Sequence, residues 1–151
     1  MDGNYRKCVG IVVYQNDKVL LCERKDTPGG WQFPQGGIET GESLIEAARR
    51  ELREETSIIS VEPAAVIEEP LRYVFPSQIK KRRKWKYDGQ EMQWVLFRFC
   101  GRDQEINLQT AEPEFCRWSW EAIDEAPKKI VEFKKQVYIE VVKKFKPEIE
   151  G

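Results

Sequence analysis

The chain of 151 residues contains no histidine. That absence removes Ser-His-Asp and Cys-His nucleophilic mechanisms, and with them zinc sites built on imidazole. Any general base must be a carboxylate, a lysine or a metal-bound hydroxide. Cysteine is sparse: Cys8, Cys22, Cys100 and Cys116 are far apart and form no C-x-x-C pair. Three of them sit in apolar, strand-like runs and read as buried free thiols of a reducing compartment. No signal peptide opens the chain and no apolar run approaches the roughly 18 residues of a membrane span, so a soluble, cytoplasmic protein is expected. A net charge of −1, from 25 basic and 26 acidic residues, leaves no global basic field. The length suits one domain, residues 1–151, large enough to bury a real core.

What the chain does have is concentrated between Gly36 and Ile58, GGIETGESLIEAARRELREETSI. Glu51, Glu54 and Glu55 are spaced i, i+3, i+4, which on a helix puts three carboxylates on one face. Like charges repel there, so a purely structural helix gains nothing. A hard divalent cation such as Mg²⁺ would want those oxygens. The bland alternative is a solvated helix face in a Glu-rich chain. Ser43 and Glu46 form a capping box, so the helix is expected to begin at Ser43. Ile45, Ala48 and Leu52 make an apolar strip beside the carboxylates, suited to packing on a sheet. Arg50 is placed to orient carboxylates from behind. Gly36 and Gly37 open a loop whose backbone can approach a ligand or metal closely, unless it is a plain turn.

Elsewhere the pattern is strands. Val9–Tyr14 and Lys18–Glu23 are joined by Gln15-Asn16-Asp17, a hairpin signal. Ala64–Glu68, Leu71–Phe75, Met92–Cys100 and Phe115–Trp120 follow, the last with Trp118 and Trp120 on one side. Ala126-Pro127 precedes a second helix, with Ile130, Phe133, Val137, Val141 and Phe145 at helical spacing and Pro147 at its end. Strands flanked by two helices predict an α/β helix–sheet–helix sandwich.

Gly36, Glu42, Arg50, Glu51, Glu54 and Glu55 all occupy slots of the box G-x5-E-x7-R-E-U-x-E-E-x-G-U, with Leu52 and Ile58 in aliphatic positions. Ser57 stands where the box has glycine, which weakens the helix end without removing a ligand. Chance would place those six residues at roughly one starting point in a million, given this chain's own residue usage. The chain therefore strongly resembles the Nudix hydrolases, which act on a nucleoside diphosphate linked to another group. The resemblance implies the Nudix sandwich with a mixed sheet. WQFPQGG (Trp31–Gly37), QEINLQTAEPEF (Gln104–Phe115), Phe133-Lys134 and Tyr5-Arg6 are similar to bacterial RNA pyrophosphohydrolases and to dinucleoside polyphosphate hydrolases. Two departures stand out: Lys7-Cys8 where the family often has Pro-Asn, and no long basic tail.

The resemblance implies Mg²⁺, with Mn²⁺ as a substitute, on Glu51, Glu54, Glu55 and Gly36. Glu55 and Glu54 would be catalytic, and Glu114 a further ligand or the general base. Glu42 and Arg50 would support the cluster. Arg6, Arg24 and Lys25 would pair with phosphates, Gln35 and Gly37 would shape the cradle, and Phe133 would stack on a base. Gln90 and Lys134 would be base or phosphate contacts. The run KKRRKWK, Lys80–Lys86, is expected to be a loop over the active site that attracts a nucleic-acid backbone, with Trp85 able to stack on a base. Its alternative is a solvated basic loop. The predicted reaction converts a 5′-triphosphate RNA end to a monophosphate. Hydrolysis of diadenosine tetraphosphate is the alternative, and a non-catalytic nucleic-acid-binding module is one from another class.

Overall fold

The computed structural model describes residues 4–83 and 85–151; of the basic run, Lys84 and the side chain of Arg83 lie outside the described residues. Strands β1 (Tyr5–Gln15), β2 (Lys18–Arg24), β3 (Trp31–Gln32) and β4 (Gln35–Gly37) come first, followed by helix α1 (Leu44–Thr56). Strand β5 (Val61–Val74), helix α2 (Ser77–Arg83), strand β6 (Gly89–Phe99) and strand β7 (Phe115–Ala122) follow. A short helix α3 (Ala126–Lys129) and the long helix α4 (Lys135–Glu150) close the chain.

The strands form one mixed sheet in the order β3-β2-β1-β6-β5, with β4 also on β1 and β7 on β2. Strands β1 and β6 are parallel, Tyr5 opposite Gly89 through Tyr14 opposite Arg98, while the other pairs are antiparallel. Alternation sorts the apolar side chains to two faces. Val9, Ile11, Val13, Val95 and Phe97 meet Ala47, Ala48 and Leu52 of α1 on one face. Cys8, Val12, Met92, Trp94 and Leu96 meet Val137, Tyr138, Val141 and Phe145 of α4 on the other. Leu52 is fully buried, and truncating it to alanine would cost about 2–5 kcal/mol. The expected sandwich is the observed one.

Helix α1 carries the capping box in full. The Ser43 hydroxyl accepts from the Glu46 N–H at 3.1 Å, and the Glu46 carboxylate accepts from the Ser43 N–H at 2.9 Å. Ser57 does adopt the left-handed conformation of its glycine slot, with φ 68°. Its hydroxyl donates to the Asn107 carbonyl at 2.8 Å, and its N–H donates to Arg53 O at 2.9 Å. Those bonds offset the backbone strain of about 1 kcal/mol that a side chain brings there.

Several sequence expectations are corrected. Ala64–Glu68 and Leu71–Phe75 are one edge strand, β5, with an irregularity between Ile67 and Leu71. Strand β5 is paired on one side only and is irregular beside both prolines, and such a position tolerates Pro63 and Pro70. Strand β6 begins at Gly89, ahead of the expected start at Met92, and ends at Phe99. The second helix is broken: Ile130 is extended, Glu132–Lys134 form a single 3₁₀ turn, and α4 begins at Lys135. The β-branched pair Ile130-Val131 favours that break. Pro147 does not end α4, which runs on to Glu150 because Ile149 is buried in the core. The run from Lys80 is not a loop throughout, since α2 takes it to Arg83. Only Cys8 and Cys22 are buried, while Cys100 and Cys116 are exposed. Among the described residues no helix is long and apolar enough to cross a membrane.

Candidate active site

Strand β4 runs antiparallel to β1 and lays Gln35, Gly36 and Gly37 across the carboxylate face of α1. The approach is so close that a Cβ on Gly36 would overlap the Glu51 carboxylate, and one on Gly37 would crowd the Arg6 guanidinium. These two glycines are therefore close-approach positions rather than a plain turn.

Glu55 points inward from α1 and is 5% exposed. One of its oxygens accepts the Gln35 N–H at 3.2 Å. Its carboxyl is pushed well above the usual range, first by burial, then by the charge of Glu114 and a hydrogen bond to it, and then by Glu51; the Gln35 N–H pulls the other way. Glu51 is also raised, by burial first, with Arg50 opposing and the charges of Glu54 and Glu114 adding. Glu54 is exposed at the rim. The protein thus crowds carboxylates whose mutual repulsion a divalent cation would cancel. Among the described residues no three ligating side chains are gathered tightly enough to cage an ion.

Arg50 ties the cluster to its surroundings. Its guanidinium donates to Glu42 at 2.6 and 2.9 Å, to Glu51 at 2.8 Å, to Glu54 at 3.4 Å and to the Gly37 carbonyl at 2.8 Å. The hydrogen bond from Arg50, helped by the Glu39 N–H, holds the Glu42 carboxyl down at about 2. One arginine therefore fixes α1 to β4 and to the loop before the helix.

A cleft of about 830 Å³ extends from the cluster. At its far side Lys134 is 8% exposed, its ammonium 3.5 Å from the Gln35 side-chain oxygen and 5.4 and 5.9 Å from the Tyr73 and Phe133 ring centroids. Burial, then the charge of Arg24, lowers it to about 8. The Gln35 amide donates to Gln90 at 3.0 Å, and the Tyr73 hydroxyl donates to the same Gln90 oxygen. The break before α4 is what turns Phe133 and Lys134 toward this space; on an unbroken helix Phe133 would be a core residue.

The cleft gathers Arg6, Arg24, Gln35, Gly36, Gly37, Glu51, Glu54, Glu55, Gln90, Glu114, Phe133 and Lys134. Arg24 also pairs with Asp26 at 2.8 and 2.9 Å. Lys25 is not brought to the cleft; its side chain is exposed, and its backbone N–H holds the Glu114 carbonyl at 3.0 Å. Trp85 is half-buried, with its ring centroid 4.3 Å from that of Phe75, and lines the cleft. Sequence reasoning missed Gln32, which is 2% exposed, lines the cleft, and has an Nε2 without a hydrogen-bond partner. Its only signal is membership of WQFPQGG. Glu112, also missed, lines the cleft beside Glu114.

The NUDIX domain family model matches residues 4–141. The chain is 45% identical over 151 residues to Nudix hydrolase 27, chloroplastic, of Arabidopsis thaliana, covering 95% of this chain and 66% of that protein. It is 38% identical over 153 residues to the RNA pyrophosphohydrolase of Wolbachia pipientis subsp. Culex pipiens, covering 99% and 94%. The crystal structure of a C. elegans Ap4A hydrolase binary complex shares the fold, with a TM-score of 0.67 at 20% identity over 93% of this chain and 97% of that one.

Proposed function

The chain belongs to the NUDIX domain family and is a hydrolase of pyrophosphate bonds; on that premise we propose that it removes pyrophosphate from the 5′-triphosphate end of RNA, leaving a 5′-monophosphate. The observation that carries this reading is the cleft itself. It joins a carboxylate cluster at one end to a buried lysine, a half-exposed phenylalanine and an amide side chain at the other. Those are the groups a phosphate chain and a nucleobase require. The similarity to an RNA pyrophosphohydrolase supports the choice of RNA.

Glu51, Glu54, Glu55 and the Gly36 backbone would hold Mg²⁺, with Mn²⁺ able to substitute. When bound, the cation would neutralise the phosphate chain and acidify a water. Glu55 and Glu114 face each other, so one can take the water's proton while the other stays charged. As the water oxygen bonds to phosphorus, the bond to the bridging oxygen breaks and pyrophosphate leaves with the electron pair. Arg6 and Arg24 hold phosphate oxygens, and Lys134 holds its charge beside the nucleoside end. Phe133 offers a ring face to the first base and Gln90 an amide. Arg50 and Glu42 keep α1 and β4 in register. The buried, unpaired thiols Cys8 and Cys22 suit a reducing, cytoplasmic setting.

A second reading, hydrolysis of a dinucleoside polyphosphate, is favoured by one feature. A smaller cleft of about 410 Å³, lined by Tyr5, Lys7 and Ile38, meets the main one at Arg6, Gly37, Glu51 and Tyr87. It offers room beyond the cluster for a second nucleoside. Product analysis with end-labelled triphosphate RNA beside diadenosine tetraphosphate separates the two. A higher kcat/KM for RNA, with pyrophosphate or successive phosphates released, is expected. A large preference for the dinucleotide would reverse the assignment, and binding without turnover under any divalent cation would remove both.

A further inference from the structure

We infer that the exposed side of α2 and the residue after its anchor, Lys81, Arg82 and Lys86, form a landing strip for the single-stranded RNA backbone downstream of the 5′ nucleotide. The inference rests on the RNA reading above. Six basic residues lie between Lys80 and Lys86 with no acidic residue among them, in a chain whose net charge is −1. The structure divides the run by role. Lys80 is half-buried and ion-paired with Asp88, which also accepts the Asn4 N–H at 2.8 Å, so its charge is already matched by a carboxylate. Trp85 packs on Phe75, and Phe75 packs on Phe133 with ring centroids 6.2 Å apart. That string of rings fastens the end of α2 to the cleft wall.

Lys81, Arg82 and Lys86 remain. All three are exposed, and among the described residues none has a carboxylate partner. Arg82 and Lys86 line the cleft, and so do Glu112 and Glu114. The rings of Trp85, Phe75 and Phe133 tie the basic segment to Phe133, whereas Glu114 is hydrogen-bonded to Glu55 in the carboxylate cluster. The 3′ phosphates of a nucleotide seated against Phe133 are repelled by the acidic residues and attracted by the basic ones through counterion release. The seven residues of α2 span about 10 Å, enough for more than one phosphate. This surface therefore reads RNA by charge and not by sequence.

The test compares a 5′-triphosphorylated dinucleotide with an unstructured RNA of about twelve nucleotides. The wild-type protein is expected to favour the longer RNA by about tenfold or more in kcat/KM at low salt. In the combined variant Lys81→Gln, Arg82→Gln and Lys86→Gln that ratio should fall toward one. The slope of log affinity against log salt for the longer RNA should become shallower by about 2, since each lost contact to a single strand contributes about 0.7. Lys81→Arg with Lys86→Arg should keep the wild-type slope, which separates lost charge from a disturbed helix. Equal kcat/KM on both RNAs in the wild type, or an unchanged slope in the triple variant, overturns the landing strip while leaving the hydrolase reading intact. Turnover of neither RNA overturns both.

Discussion

Gly36 and Glu51 are in such close register that no side chain can stand between the backbone of β4 and the carboxylate of α1. Two segments separated in sequence thereby define one edge of the cluster. A Gly36→Ala variant tests that contact. The obstructing atoms are the far end of the Glu51 side chain, which can shift at the cost of its 2.8 Å bond from Arg50, so the fold should hold. The displaced carboxylate should lower kcat by about 10²-fold, the scale of a 1 Å misplacement at a reacting centre. Activity near wild type would show that Glu51 need not occupy that position.

The carboxylates Glu54 and Glu55 predict a paired result. Glu54→Gln and Glu55→Gln should each lose most turnover with the fold intact. Glu55→Gln also removes a buried acid crowded by Glu114 and Glu51. The metal-free variant should therefore melt no lower than wild type. Mg²⁺ should raise the wild-type melting temperature and raise that of Glu55→Gln less, because a ligand stabilises in proportion to its affinity for the folded state. Unchanged rates in either variant would withdraw that residue from catalysis.

Lys134 predicts a pH effect. Burial holds its ammonium at about 8 against an ordinary lysine value of 10.5. Between those values the folded protein binds fewer protons than the unfolded chain, so this group makes stability rise with pH across that window. Below about pH 8 its full penalty, roughly 3 kcal/mol at most, is present. Lys134→Met should therefore be the more stable protein at pH 7 in urea unfolding, with the gap closing toward pH 10.5. Its kcat/KM on triphosphate RNA should fall. A variant less stable at pH 7 would show that the lysine is held by interactions stronger than its burial.

Tyr138 reaches from α4 through the core to accept the Phe33 N–H at 2.9 Å. Tyr138→Phe leaves that buried donor unpaired and should cost about 1–3 kcal/mol in urea unfolding. Phe33 lies in the segment that leads to Gln35 and Gly36, so KM should rise along with the stability loss. An unchanged midpoint would mean that the backbone finds another acceptor.

Much of the fold was legible because its causes are local. The apolar run Val9–Tyr14 and the hairpin signal at Gln15-Asn16-Asp17 mark β1 and its turn into β2 from the residues alone. Ser43 with Glu46 marks the start of α1 within one residue. Ser57 was readable as the flawed slot of the box, but its remedy was not. The Asn107 carbonyl that its hydroxyl meets lies 50 residues away. The same limit applied to Ile130–Phe145, where helical spacing is satisfied whether or not the helix is continuous. Pro147 misled because its lost hydrogen bond is local, whereas the burial of Ile149 that outweighs it is not.

The sequence by itself determined that three carboxylates share a helix face, that an arginine and two glycines accompany them, and that no imidazole can take part. Spacing along a helix is a property of the backbone, so those statements needed no packing. The tertiary structure alone decided what those carboxylates face. It brought Glu114 onto Glu55, turned Phe133 and Lys134 out of the helical row into the cleft, kept Lys25 away, and consumed Lys80 on Asp88 while leaving Lys81, Arg82 and Lys86 exposed. Each of those outcomes depends on where the ends of distant strands and helices meet, which no local pattern encodes.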